Sequence, residues 1–231
     1  MSDFEYEYIA SEESALGVIS LRLRDLPSHP QTQVTEITLD HALLMSSHNT
    51  ASERALASSA LALHSGANLN VLVGGLGLGY TAQAVLESGR VAHLEVVEYL
   101  APVVRWLEQG LIPLSAELQA DPRLDVTEGD VYGQLWGAPT RQWDAILIDV
   151  DHSPDERLGS ESDRFYTEEG LRRAQEHLAP DGVLGVWSYA GCAPFADALA
   201  RVFADVRVEP VTFQNRVFDQ EETNEIFLAW G

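Results

Sequence analysis

The feature that most constrains the fold is a glycine-rich stretch at residues 70–81, NVLVGGLGLGYT. An apolar run ends in Gly75, and Gly77 and Gly79 follow at alternate positions before an apolar, helix-like segment. This pattern predicts a buried strand that enters a tight turn and continues as a helix. Glycine permits such a turn and lets a ligand approach the backbone amides closely. The stretch therefore indicates a nucleotide-like ligand.

Strand and helix patterns alternate through most of residues 66–205, which predicts an α/β fold with a parallel sheet and helices on both faces. Three short alternating segments precede this region and predict antiparallel strands, while two further strands after it predict an edge hairpin. We therefore expect a Rossmann-like doubly wound sheet, mostly parallel with an antiparallel C-terminal hairpin. The expected domains are a small N-terminal β region, 1–48, and a catalytic domain, 49–231. The predicted outer strands are residues 4–9, 18–24, 34–39, 206–213 and 225–230.

The charge of the chain limits its partners. The sequence has 36 acidic and 14 basic residues, a net charge of −22, and no lysine. Such a surface disfavours nucleic acid and anionic membranes, which bind by phosphate neutralisation, and is compatible with a cationic small substrate. Without lysine, Schiff-base and P-loop chemistry are excluded. A single cysteine, Cys192, and no metal-ligand pattern predict a cytoplasmic protein without a metal site or disulfide.

Acids at the ends of predicted strands carry the functional prediction, because ligands of such sheets bind beyond the carboxyl ends of the strands. Glu98 can accept both hydroxyls of a ribose, or can simply flank a helix start. Asp130 can accept a hydrogen bond from an adenine amine, or can cap a turn or helix. Asp149 ends the most apolar strand, where capping alone does not require an acid.

Two cofactor classes fit the glycine stretch. Gly77, Gly79 and Ala82 give a dinucleotide-type GxGxxA pattern, although this pattern begins late in the turn. Gly75, Gly77 and Gly79 form GxGxG directly after the strand. The edge hairpin and Asp130 favour this second pattern and a nucleoside sulfonium of the adenosylmethionine type.

Six motifs follow one another along the chain, namely GGLGLGY, VVEYL, DPRLDVTEGDVY, WDAILIDVDHSP, FYTEEGL and HLAPDGVLGVWS. Their order and spacing resemble those of the spermidine synthase family, on the class I methyltransferase fold. The resemblance implies that Glu98 binds ribose, Asp130 binds the adenine amine and Asp149 lies beside the reacting amine. It also implies S-adenosylmethionine or its decarboxylated form as ligand, and a homodimer.

Three positions depart from the family pattern. Leu78 stands where family members carry an aspartate for the ligand's amino group, His152 replaces a second aspartate, and residues 188–190 replace a glutamine-containing stretch. These changes favour transfer of an alkyl group, methyl above all, to a small nucleophile. Aminopropyl transfer from decarboxylated S-adenosylmethionine to a polyamine is the alternative, and a non-catalytic nucleoside-binding protein is a further one.

The predicted reaction is displacement at a carbon attached to a sulfonium, which requires a neutral nucleophile. Asp149 can accept a proton from an amine, and His152 belongs to the side-chain class that titrates near neutral pH. Alternatively, His152 is a loop residue that takes no part in the reaction. Tyr80, Tyr166 and Tyr189 are predicted to shape the acceptor pocket, with framework packing as the alternative.

Overall fold

The computed structural model describes residues 6–26, 29–150, 152–156, 160–215 and 220–231. Within these ranges the chain begins with a four-stranded antiparallel sheet in the order β1-β2-β3-β4. The predicted first strand began at Phe4, but residues 4 and 5 lie outside the described residues, as does Asp151. The strands are β1 (Tyr6–Ser14), β2 (Gly17–Leu26), β3 (His29–Leu39) and β4 (Ala42–Ser46).

The second sheet has seven strands in the described residues, ordered β10-β11-β9-β8-β5-β6-β7. The strands from β9 to β7 run parallel, and the β10–β11 hairpin joins β9 in antiparallel orientation. The strands are β5 (Leu69–Gly74), β6 (Val91–Glu98), β7 (Leu124–Glu128), β8 (Trp143–Ile148), β9 (Leu178–Ser188), β10 (Asp205–Asn215) and β11 (Gln220–Trp230).

Helices lie between most of these strands. They are α1 (Ala51–Leu63), α2 (Tyr80–Leu86), α3 (Ala101–Glu108), α4 (Ser115–Ala120), α5 (Val131–Trp136), α6 (Glu168–Glu176) and α7 (Ala193–Val202), with a 3₁₀ helix at Ser160–Arg164. The predicted Rossmann-like fold with its antiparallel hairpin is confirmed. Of the described helices, none is long and apolar enough to cross a membrane.

Some elements differ from the sequence prediction. The short elements β4, α4 and α5 were not predicted, because five or six residues give too little periodicity, and α5 contains Gly133. Residue 178 was predicted to end a helix, but it begins β9, which contains Pro180 and continues past Asp181 at φ +66°. Leu178 pairs with Trp143, and the register shifts before Val183 pairs with Ala145.

The hydrophobic core places the two sheets against each other. Ile19, Leu21 and Ile37 from the first sheet pack in the same buried cluster as Leu76 and Leu78 from the glycine stretch. A second cluster fills the opposite face of the seven-stranded sheet. The division into regions 1–48 and 49–231 stays a prediction.

Strand order fixes the position of the site. The chain proceeds from β5 outward to β6 and β7, then returns to β8 on the other side of β5. The carboxyl ends of β5 and β8 therefore meet at the topological switch point, where ligands of such sheets bind.

Candidate active site

A cleft of about 1150 Å³, including its open mouth, lies at this switch point. One wall comes from the glycine turn after β5 and from acids at or just after the ends of β6, β7 and β8. The opposite wall is apolar and comes mainly from the N-terminal sheet. The titratable residues of the cleft include Glu53, Glu98, Asp130, Asp149 and His152, and the apolar wall includes Leu16, Ile19, Ile37, Leu44 and Met45.

The glycine turn lines the cleft at Gly75 and Gly77. Gly75 has φ +93°, and a Cβ there would lie 2.2 Å from the carbonyl oxygen of Asp149. Gly77 has φ +51°, and its Cβ would lie 2.6 Å from Sδ of Met45. Both glycines have the positive φ that other residues rarely adopt, and at Gly75 the backbone of Asp149 also leaves no space for a side chain. Gly79, the third predicted ligand-binding glycine, precedes the first residue of α2.

Glu98 at the end of β6 joins the glycine turn to the next helix. Its Oε2 accepts hydrogen bonds from the backbone N–H of Leu76 at 2.7 Å and Gly77 at 3.5 Å. Its Oε1 accepts from the N–H of Leu100 at 2.8 Å. Burial raises the pKa of Glu98, and these backbone donors oppose that rise. The carboxyl group is thus fixed in place at the floor of the cleft.

Asp130 is both a cleft residue and a helix cap. Its Oδ1 accepts a hydrogen bond from the backbone N–H of Tyr132 at 2.9 Å and so caps the start of α5. The capping role considered from the sequence is therefore present. The role in adenine binding stays a prediction, for which Oδ2 is the available atom.

Asp149 follows β8 and is held by a neighbouring hydroxyl. Thr81 Oγ1 donates to its Oδ2 at 2.5 Å, and within the described residues no other side chain donates to this carboxylate. Although Asp149 is only half-buried as a residue, its carboxyl group is surrounded by protein. Burial raises the pKa of Asp149 to about 6, against the opposing effect of the Thr81 hydrogen bond.

Glu53 was missed as a functional residue in the sequence. It lies in the first turn of α1, is 8% exposed and lines the cleft with Asp149. Ser52 Oγ donates to its Oε2 at 2.9 Å, and Asn224 Nδ2 on β11 donates to Ser52 at 2.8 Å. Burial and the nearby charge of Asp149 raise the pKa of Glu53 to about 7. The available signal was a lone acid in an alanine-rich helix, which also fits an ordinary helix start.

His152 lines the cleft, but the three predicted pocket tyrosines are not part of the lining described here. The Tyr80 ring lies under Arg54, 5.5 Å from its guanidinium carbon. Tyr166 is buried against Phe195, and Tyr189 is exposed with its hydroxyl donating to Glu156 at 2.8 Å. A role of these tyrosines in the acceptor pocket stays a prediction.

The cleft acids have no cationic partner in the part of the chain that the structure describes. Neither Glu53, Glu98 nor Asp149 forms an ion pair there. Arg54, the cation adjacent to Glu53 in sequence, is directed to Gln83 and Glu87 instead. No group of three His, Cys, Asp or Glu residues within the described ranges is placed to hold a metal ion.

Comparison with solved structures identifies the fold class. A spermidine synthase crystallised with the transition state analogue AdoDATO superimposes with a TM-score of 0.76 at 20% identity, covering 96% of this chain and 73% of that one. Spermidine synthase from Thermotoga maritima gives a TM-score of 0.76 at 18% identity, with 96% and 72% covered. The chain therefore has the spermidine synthase fold, which is of the class I methyltransferase type.

A curated relative adds sequence similarity. Polyamine aminopropyltransferase 2 of Streptomyces coelicolor is 32% identical over 124 residues, which is 52% of this chain and 22% of the relative. The match thus spans less than a quarter of that relative's length. No family model matches the chain. The resemblance to the spermidine synthase family that the motifs predicted is confirmed.

Proposed function

We propose that this chain is a transferase that binds decarboxylated S-adenosylmethionine and transfers its aminopropyl group to a small amine. The observation that carries the proposal is the convergence of the glycine turn, Glu98, Asp130 and Asp149 on one cleft. The similarity to an aminopropyltransferase and to spermidine synthases favours this alternative over methyl transfer, the first prediction from the sequence.

The nucleoside of the donor fits the end of the cleft formed by β5 and β6. There Glu98, already fixed by backbone donors, accepts hydrogen bonds from the ribose hydroxyls. Asp130 accepts the exocyclic amine of adenine through Oδ2, while Oδ1 continues to cap α5. Gly75 and Gly77 allow the nucleoside to approach the backbone.

The sulfonium then lies toward Asp149, where the reaction takes place. The nitrogen of a neutral amine attacks the carbon next to sulfur, the C–N bond forms, and the C–S bond breaks to leave a neutral thioether. The acids of the cleft bind the cationic reactants, and they hold a carboxylate next to the amine that must lose a proton. The apolar wall excludes water and accommodates methylene groups.

One observation favours methyl transfer as a second candidate. Leu78, at the position where the family carries an aspartate, is fully buried in the core shared by the two sheets. Its side chain therefore supplies no group for the amino end of an aminopropyl donor. Both sulfoniums carry this amino group, but only in aminopropyl transfer does it anchor the chain whose carbon is attacked, so methyl transfer depends less on the contact.

Product mass spectrometry tests the proposal. The protein is incubated with S-adenosylmethionine or its decarboxylated form and a panel of mono- and diamines, with Asp149→Asn as the blank. We expect an aminopropyl gain on an amine with the decarboxylated donor only. A methyl gain with S-adenosylmethionine would replace the proposal by the second candidate. Binding of a donor without product from any pair would favour a non-catalytic nucleoside-binding protein.

Other expectations from the sequence stay predictions, namely a homodimer and a cytoplasmic location. The acceptor class, a small amine, is part of the proposal.

A further inference from the structure

We propose that Glu53 and Asp149 together form the binding site for the acceptor nitrogen, and that the pair takes up the proton which the amine loses before it attacks. This inference rests on the proposed function and adds a residue, Glu53, that lies outside the motifs of the family resemblance. It also defines the acceptor as a cationic amine rather than a neutral or acidic nucleophile.

The placement of the two carboxyl groups carries the argument. Glu53 comes from the first turn of α1 and Asp149 from the end of β8, and both line the cleft. Thr81 lies between them, with Oγ1 2.5 Å from Oδ2 of Asp149 and 3.4 Å from the backbone oxygen of Glu53. Burial and, after it, the nearby charge of Asp149 raise the pKa of Glu53. Two like charges at one buried place are stable only with a shared proton or a cation.

A chain of hydrogen bonds holds Glu53 in this position. Asn224 on β11 donates to Ser52 at 2.8 Å, and Ser52 donates to Oε2 of Glu53 at 2.9 Å. Ser52 is 2% exposed, so this contact is sheltered from water. Side chains that bind ligands are typically held in one orientation by such hydrogen bonds. An acid at a solvent-facing helix start does not require them.

Within the described residues no cation forms an ion pair with Glu53 or Asp149, although the charge of Arg54 lowers the pKa of Glu53 in part. Arg54 on α1 is turned to Gln83 and Glu87 on and after α2, and the sequence offers no lysine. A bound ammonium therefore fits the charge that the fold leaves uncompensated. The other titratable groups that line the cleft are Glu98, Tyr99, Asp130, Tyr132 and His152.

The proposed step is balanced in protons and electrons. An ammonium, R–NH₃⁺, binds between the two carboxylates and transfers one proton to the pair. The freed nitrogen lone pair forms the C–N bond to the carbon next to sulfur, and the C–S electron pair stays on the thioether. The product leaves as a secondary ammonium, and the pair returns its proton to solvent.

The test compares Glu53→Gln with Glu108→Gln, which removes the same charge from an exposed position at the end of α3. With decarboxylated donor and 1,4-diaminobutane, we expect kcat/KM for the amine to fall about 100-fold in E53Q, the scale of general acid–base catalysis. The dissociation constant of the donor should change little. The acid limb of the pH profile should move to lower pH in E53Q, because the variant lacks Glu53, whose pKa is about 7, and keeps Asp149, whose pKa is about 6. It should not move in E108Q.

A second variant tests whether the hydrogen bond from Ser52 holds Glu53 in position. Ser52→Ala should lower kcat/KM for the amine less than E53Q does, with an unchanged fold by circular dichroism. If E53Q and E108Q have the same amine kinetics and the same pH profile, the proposed role of Glu53 is wrong. The proposed function would be unaffected by that result.

Binding measurements distinguish a failure of the proposed function from a failure of the proposed acceptor site. If the wild type yields no product with any pair, the proposed function fails, and calorimetric titration of 1,4-diaminobutane still tests the pair. Wild type and E108Q should then bind the diamine more tightly than E53Q. If all three proteins bind the diamine with equal affinity, Glu53 and Asp149 do not form the acceptor site.

Discussion

Two buried acidic groups of this protein differ in what neutralises them. Glu36 in the N-terminal sheet is 1% exposed and lies 2.8 Å from Nη2 of Arg22 and 2.6 Å from Nε of Arg24. Glu53 and Asp149 in the cleft have no such partner among the described residues. A charge that the fold itself neutralises serves structure, whereas one left without a counter-charge is suited to a cationic ligand. The comparison teaches that burial of an acid alone does not reveal its role.

The largest expected effect concerns Asp149. Asp149→Asn keeps the shape but cannot take up a proton, so turnover should fall by about 100-fold or more. Donor affinity should remain within a few-fold, because the ribose and adenine contacts are elsewhere. Steady-state kinetics and donor titration measure both, with Asp197→Asn on the exposed face of α7 as control. Undiminished turnover in D149N would remove Asp149 from the mechanism.

The structural acid should behave in the opposite way. Glu36→Gln leaves two nearly buried arginines without their carboxylate, which should cost about 3 to 5 kcal/mol of unfolding free energy. Turnover per folded molecule should be nearly unchanged. Urea unfolding and an activity assay on the same samples check this. If E53Q loses as much unfolding free energy as E36Q, the two acids do not differ in their structural role.

Glu98 provides an intermediate case, a buried acid satisfied by backbone donors. Glu98→Ala should weaken donor binding by roughly 1 to 3 kcal/mol, since the ribose hydroxyls lose their acceptor. Calorimetry of donor binding at a temperature well below unfolding measures the loss. An unchanged dissociation constant would refute the ribose role.

The smallest effect is a pH dependence of stability without ligand. The pKa of Glu53 is raised to about 7 and that of Asp149 to about 6, so the folded protein holds protons that the unfolded chain releases. Their contribution to stability is complete below the unfolded pKa near ~4 and is lost as the pH rises to about 7. Thermal unfolding should show E53Q gaining stability relative to wild type from pH 5 to pH 8. A constant difference across that range would show that the pKa of Glu53 is not raised in the folded protein.

The sequence was sufficient for the fold and for the position of the glycine turn and the strand-end acids. Gly75 follows β5, Glu98 ends β6 and Asp149 follows β8, so the hydrophobic pattern of the strands places all three at one edge of the sheet. The rest of the cleft was not readable in the same way. Glu53 and the apolar wall come from segments distant in the chain, and only tertiary packing brings them to Asp149.

The predicted tyrosines illustrate the same limit. Tyr166 lies within the family-like motif FYTEEGL, and its ring is buried among Tyr132, Phe165 and Phe195. Sequence gives the residue type and its position on an element, but the direction of a side chain depends on the packing around it.

The most direct test of the central claim is a titration of the wild type with the two sulfoniums. They differ in a single carboxylate, which S-adenosylmethionine would bring toward Glu53 and Asp149. Because the described part of the cleft offers no cation to receive it, we expect the decarboxylated form to bind at least about tenfold more tightly, equivalent to ~1.4 kcal/mol. Equal affinities, or tighter binding of S-adenosylmethionine, would contradict the account.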